Sequence, residues 1–230
     1  MSPRPKLSEQ HPDLQTAIKE VAWKQISKKG AAALSLRAIA RELGITAPAI
    51  YNYFSRRDDL VTALIVDAFT SLGESQKKSI QNLPEDDLGT HLSALGLAYR
   101  DWAITYPQRY QLIFGTPIPG YEAPAEITVP AAAGSLVPLI ETIQAIFAAG
   151  KLRVDRFAPM TPELKSMLEA WSQFTAGNDP EVLYTALVIW SRVHGLVSME
   201  IGNQMPSFIT DPGEIYCREI AIIENQFIGE

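Results

Sequence analysis

The chain of 230 residues holds a single cysteine, Cys217, and only three histidines, His11, His91 and His194. A lone thiol excludes an intramolecular disulfide and fits a reducing compartment. The histidines are scattered, with no cysteine or carboxylate beside them at metal-ligand spacing, so neither a metal nor a cofactor is expected. A Gly-rich phosphate loop, a nucleophile elbow and paired carboxylates in an apolar setting are all missing. An enzyme assembled from Glu169, His194 and Glu200 would have no partner geometry behind it, and no catalytic residue is assigned. No apolar run approaches the ~18 residues of a membrane span. The opening "MSPRPKLSEQHP" has no apolar h-region of the secretory kind. These absences lead to the expectation of a cytoplasmic protein with no membrane partner.

What is present is unevenly placed. Residues 1–60 carry ten Lys/Arg against six Asp/Glu, net +4, while the other 170 carry ten against twenty, net −10. A basic head on an acidic body is the pattern expected when only the head meets a polyanion. Helical periodicity runs throughout, and no alternating strand pattern is bounded by hairpin turns. Leu14, Ala17, Ile18, Val21, Ala22 and Ile26 repeat at helical spacing up to Lys28, Lys29 and Gly30. Further helix starts are marked by Ser55 with Asp58, Thr161-Pro162, Asp179-Pro180 and Asp211-Pro212, each joining a capping side chain to a first-turn acid or proline. The prolines and glycines of Gly115–Pro130 predict a loop between long helices. The fold class is all-α.

Within the basic head, Leu36, Ile39, Ala40 and Leu43 form one short helix after a Ser35 cap, and Gly44 ends it. A second short helix follows, with Thr46 as cap and Pro48 in the first turn, where a missing N–H costs nothing. Together they make a helix-turn-helix. Ile50 and Phe54 point inward with Ala47 beside them, while Pro48, Ala49 and Asn52 face out. That outer face is small enough to enter a major groove of ~12 Å. Tyr51 and Tyr53 flank it with hydroxyls, and Arg37, Arg56 and Arg57 stand near enough to hold phosphates. The spacing by itself fits a plain helical hairpin with surface arginines equally well.

The segment Ala22–Leu64 resembles the DNA-binding domain of the TetR family of bacterial transcriptional regulators. The resemblance rests on Ile26, Gly30, Ser35, Ile39-Ala40, Leu43-Gly44-Ile45, Ile50-Tyr51-Asn52-Tyr53-Phe54 and the Arg57–Leu60 helix start. It implies a three-helix DNA head over 1–56 and a ligand-binding, dimerising body over 57–230, joined by a fourth helix of about Arg57–Ile80. It also implies a double-stranded, pseudo-palindromic operator, a homodimer through the last two long helices, and a small-molecule effector. Transferred onto this sequence, Thr46, Ala47, Pro48, Ala49 and Asn52 face bases, and Arg37, Tyr51, Tyr53 and Arg57 hold phosphates. Ala47 and Ala49 stand where some relatives carry polar base-reading side chains. Direct readout is then left to Thr46, Asn52 and Arg37, with methyl contacts to thymine. The rest of the chain resembles a subgroup of the same family marked by Trp190, His194 and Gly195.

The body adds a dense aromatic set. Tyr99, Trp102 and Tyr106 share one helix face at spacings of three and four, and their polar tips need partners. With Phe114, Phe174, Trp190 and His194 they are the pocket candidates, against the rival reading that each is simply core. His194 reads first as a satisfied buried histidine and second as a polar contact to an effector. An aromatic pocket with few charges fits an apolar or aromatic molecule held by one or two hydrogen bonds. Regulation by a protein partner in place of a small effector remains the alternative. In the last helix Tyr216, Ile220, Ile223 and Phe227 form one apolar stripe, with Ile215 and Ile222 off it. Apolar residues on two faces leave one for a second copy of the chain.

Overall fold

The computed structural model describes residues 14–154, 158–172 and 179–229. Among these residues the elements are helices: α1 (Leu14–Lys29), a 3-10 turn (Ala31–Ala33), α2 (Leu36–Glu42), α3 (Ala47–Tyr51), α4 (Arg57–Ile80) and α5 (Leu88–Thr105). Then come α6 (Pro107–Phe114), α7 (Ala125–Ala148), α8 (Pro162–Ser172), α9 (Pro180–Ile201) and α10 (Pro212–Phe227). The extended pairing described is one isolated bridge between Leu152 and Ile228. The all-α expectation holds.

The chain divides into two compact units, one running up to Ala68 with Gln108–Thr128 added, the other made of Phe69–Pro107 and Val129 onward. This division differs from a boundary at residue 56. The first turns of α4 bury Leu60, Val61, Leu64 and Ile65 in the first unit, so the helix is built into the head's core before it leaves it.

The first unit is held by an apolar centre. Ile18, Val21, Ala22 and Ile26 of α1, Leu36 and Ile39 of α2, Ile50 of α3 and Phe54 are all buried. Each fully buried aliphatic side chain contributes about 1.5–3 kcal/mol. Lys19 Nζ lies 2.8 Å from Asp67 Oδ2 and joins α1 to α4. Two glycines take positive φ where helices stop, Gly30 at 75° and Gly44 at 67°, a region that costs glycine little. The start of α4 is capped by Asp59, not by Asp58. The Asp59 carboxylate accepts from Ser55 Oγ at 2.6 Å and from the Arg56 N–H at 2.9 Å. The Ser55 bond is the first cause of its lowered pKa.

The second unit packs α5, α7, α9 and α10 around Leu95, Ile140, Ile143, Ile146, Leu183, Val197 and Tyr216. Here the predicted caps are present: Asp179 Oδ1 accepts from Glu181 N at 2.9 Å, and Asp211 Oδ1 accepts from Gly213 N at 2.8 Å. The predicted loop Gly115–Pro130 is shorter than expected, because α7 begins at Ala125 and carries both Pro130 and Pro138 inside it. Glu126 in its first turn and a long apolar stripe outweigh what the two prolines remove. Two helices, α7 with 24 residues and α9 with 22, reach the length and apolarity of a membrane span, which corrects the expectation that none does. Their Thr, Ser, Pro and Gly residues hid this in the sequence. In the fold Ile140, Ile143 and Ile146 of α7, and Val182, Ile189 and Val193 of α9, are spent on the core.

Candidate functional site

The outward face of the helix-turn-helix follows from how α2 and α3 are anchored. Ser35 Oγ accepts from Ala38 N and Thr46 Oγ1 accepts from Ala49 N, each at 3.4 Å, so both short helices start on side-chain caps. Ile50 is fully buried and fixes the rotation of α3 about its axis. Thr46, Ala47, Pro48 and Asn52 are then exposed and Ala49 half-buried. Ala47 is the one residue of this helix that turns the other way from expectation, outward instead of beside Ile50. Tyr51 and Tyr53 keep 41% and 47% of their surface, unusually much for tyrosines in a packed head, and Arg37 is exposed on α2.

Arg57 does something different from the sequence expectation. Its Nη2 donates to the carbonyls of Ala31 at 3.2 Å and Ala32 at 3.4 Å, and its Nη1 lies 3.7 Å from Asp58. The guanidinium is spent tying the start of α4 to the 3-10 turn, so Arg57 orients the head instead of reaching out from it. Arg56, with 76% of its side chain exposed, makes an ion pair to Asp59. A feature that sequence reading passed over lies beside α2. A groove of about 460 Å³ there is lined by Lys28, Lys29 and Arg41, with Gln25, Ser35 and one carboxylate, Glu42. The basic last turn of α1 was legible, but its meeting with Arg41 needed the fold.

In the second unit the aromatic candidates separate. Tyr99 and Trp190 line one cavity, together with Gln76, Leu95, Leu139 and Ile220. The cavity is about 20 Å³, room for about one water molecule. Tyr99 Oη and His194 Nδ1 lie 2.8 Å apart, and the Trp190 ring sits 5.0 Å from the imidazole centroid. Burial lowers the His194 pKa. His194 is thus a partnered histidine behind the cavity wall.

The other candidates fall elsewhere. Trp102 is buried, with Nε1 donating to Ser71 Oγ at 3.0 Å, and does not line the cavity. Three-and-four spacing placed it on one face with Tyr99, but its indole is turned to α4. Tyr106 is exposed at the end of α5, its ring 6.1 Å from that of Trp102. The Phe114 ring lies 5.1 Å from that of Tyr110, tilted by 58°, in the first unit. Phe174 lies outside the described residues. Gln76 is the lining residue that sequence reading missed. It stands among Glu74, Lys77 and Lys78 and looks solvated, yet Phe69, Leu72, Gly73 and Gln76 recur at helical spacing, which marks the buried face.

The frame around this cavity is polar and well paired. Arg100 clamps Glu200 through two bonds of 2.8 and 2.7 Å, which raise the arginine's pKa, and Arg192 Nε donates to Glu219 at 2.6 Å. Tyr216 Oη donates to Gly96 O at 2.6 Å, and burial pushes its phenol well up. A Cβ on Gly96 would push against Ile220 Cδ1, so a larger residue there requires the isoleucine end to turn aside. Among the described residues no group of three His, Cys, Asp or Glu could hold a metal.

A helix-turn-helix with a small, open second helix, in a chain whose other unit is a helical body, defines a DNA-binding regulator. Residues 18–64 match the model for bacterial regulatory proteins of the tetR family, and residues 92–223 match the tetracyclin repressor-like C-terminal domain. The HTH-type transcriptional regulator Rv1816 of Mycobacterium tuberculosis strain H37Rv is 34% identical over 88% of this chain and 87% of its own length. The crystal structure of the protein SCO4313 superposes with a TM-score of 0.75 at 34% identity, over 96% of this chain and 98% of that one. A single-site variant of TetR from Acinetobacter baumannii AYE shares the fold at 15% identity, with a TM-score of 0.52 over 91% and 93% of the two chains. The chain belongs to the TetR family. It is a transcriptional regulator with a DNA-binding domain and not an enzyme.

Proposed function

We propose that this regulator binds a pseudo-palindromic operator as a cytoplasmic homodimer, acts as a repressor, and is released or retained by a small apolar or aromatic effector. The observation that carries the DNA part is the face of α3, where Thr46, Ala47, Pro48, Ala49 and Asn52 leave room for base edges. Tyr51, Tyr53 and Arg37 flank it as phosphate contacts, and Lys28, Lys29 and Arg41 join them through the basic groove. Arg57 acts one step back, by holding the turn that sets the head's shape.

The dimer reading is supported by what the last helices leave uncovered. Tyr216, Ile220, Ile223 and Phe227 fill the protomer's own core, yet Leu187 and Met199 of α9 and Ile215 and Ile222 of α10 remain exposed. Gly195 has no atom within 4 Å of where a Cβ would stand, so the close approach that a mid-helix glycine permits is left for a second copy. Such a dimer places two recognition helices one DNA turn apart, about 34–36 Å, or a multiple of it. The effector reading is supported by the cavity walls, which are apolar and aromatic with few polar groups. The Acinetobacter baumannii TetR variant, which shares the fold, was solved in complex with minocycline. At about 20 Å³ the cavity must open to admit a guest. The experiment is selection of binding sites from random duplex DNA, followed by sedimentation of the complex. Enrichment of an inverted repeat bound by two protomers supports the reading; no enriched sequence, or a monomer at micromolar concentration, ends it.

A further inference from the structure

The cavity in the second unit has an unusual polar group in its wall. Gln76 is 4% exposed, and its Nε2 donates to the backbone carbonyl of Ser135 at 2.8 Å. A primary amide has two donor hydrogens and a carbonyl acceptor, so that single bond leaves most of its capacity unspent. The rest of the amide is not among the buried polar atoms left without a partner, so a guest that fills the cavity has to replace what water can give it. Around the amide stand Leu92, Leu95, Leu136, Leu139 and Ile220, and among the described residues no Asp, Glu, Lys or Arg lines the cavity. Tyr99 is also in the wall, but its hydroxyl is already engaged with His194.

The place of Gln76 in the fold is equally specific. One turn before it on α4, Gly73 brings the helix close to α7: a Cβ there would meet Ser135 Cα at 3.3 Å and Gly134 O at 3.4 Å. On α7, Pro138 removes the N–H that would have bonded the carbonyl of Gly134. The Gln76 amide therefore reaches α7 next to a break in that helix's own hydrogen-bond ladder.

Resting on the effector reading above, we propose that Gln76 is the group that selects the effector. The guest is an uncharged, mainly apolar molecule carrying one hydrogen-bonding group, which bonds the Gln76 amide. A charged guest is disfavoured because nothing in the wall would pair with it. A purely hydrocarbon guest would take the place of water without answering the amide.

Toluene, benzyl alcohol and benzoate form a matched set, sharing one ring and differing in a missing, neutral or anionic polar group. Calorimetric titration of the full chain is expected to rank benzyl alcohol first by roughly 3- to 10-fold over toluene, the worth of one neutral hydrogen bond, with benzoate weakest. In Gln76→Leu the benzyl alcohol advantage disappears while toluene still binds. Gln76→Met, closer in shape to glutamine, gives the same result if the leucine variant fails to fold. The inference is overturned if benzyl alcohol keeps its advantage in both variants, if benzoate binds as well as benzyl alcohol, or if none of the three binds the wild type. Operator titrations in the presence of benzyl alcohol separate this from the reading it rests on. Gln76-dependent binding that leaves operator affinity unchanged removes the effector role but keeps the selectivity of the cavity.

Discussion

In the head, the outer face of α3 is made of small residues turned to solvent, while in the body large aromatic side chains such as Tyr99 and Trp102 are turned inward. On α3 a fully buried Ile50 fixes the helix so that Thr46, Pro48 and Asn52 stand in solvent. In the body Tyr99 and Trp190 close on a cavity with room for about one water molecule, and Trp102 is locked to Ser71. The head presents an open outer face, and the body closes its aromatic side chains into a core, so the effector binding proposed above would require that core to loosen. Sequence reasoning works better on the first. A short helix has one obvious inward residue, whereas an aromatic in a bundle can face either a neighbour or a cavity.

The comparison is broken most forcefully in the cores. Trp102→Ala should cost about 3–5 kcal/mol, as for other buried tryptophans, measured by urea unfolding. A change under 1 kcal/mol would mean that Trp102 is a pocket residue after all. In the head, Ile50→Ala should lose about 2–5 kcal/mol and operator binding with it, read by thermal unfolding and gel shift together.

Smaller effects sharpen the contrast at the surface. Thr46→Ala removes the cap bond to Ala49 N and should cost about 1 kcal/mol of stability, checked by thermal unfolding beside a capping Thr46→Ser control. Arg37→Ala should weaken binding to all sequences alike and reduce the salt slope by about one, seen in titrations at several salt concentrations. The pH effect is the least. Burial holds His194 less basic than an ordinary imidazole, so as pH falls the unfolded chain takes up the proton first. Stability should therefore decline below pH of about 6.5 and stop declining once the folded value is passed. Urea titrations across this range should show a flatter profile for His194→Gln.

Much of the fold was legible. The helix starts at Thr161, Asp179 and Asp211, the Leu36–Leu43 helix and the all-α class followed from periodicity and caps, and the Arg57–Ile80 helix from the family resemblance. The start of α7 was not, because prolines that usually mark loops were accommodated inside a long apolar helix. Of the site, the outward face of α3 was readable, since Ile50 and Phe54 four residues apart determine what faces out. The bonds of Arg57 were not legible, because sequence cannot tell a guanidinium that reaches solvent from one folded back onto the carbonyls of Ala31 and Ala32. Gln76 was hidden by its charged neighbours, although its register with Phe69 and Leu72 placed it on the buried face.

If α3 reads bases through its small outer face, as proposed, the loss of the Asn52 side chain should show it. Asn52→Ala should be titrated against a selected operator and against variants changed at single base pairs, at fixed salt. The account predicts a loss of about 1–3 kcal/mol confined to one or two base pairs per half-site, with non-specific affinity and the salt slope unchanged. Equal affinity of wild type and Asn52→Ala for every duplex would contradict it.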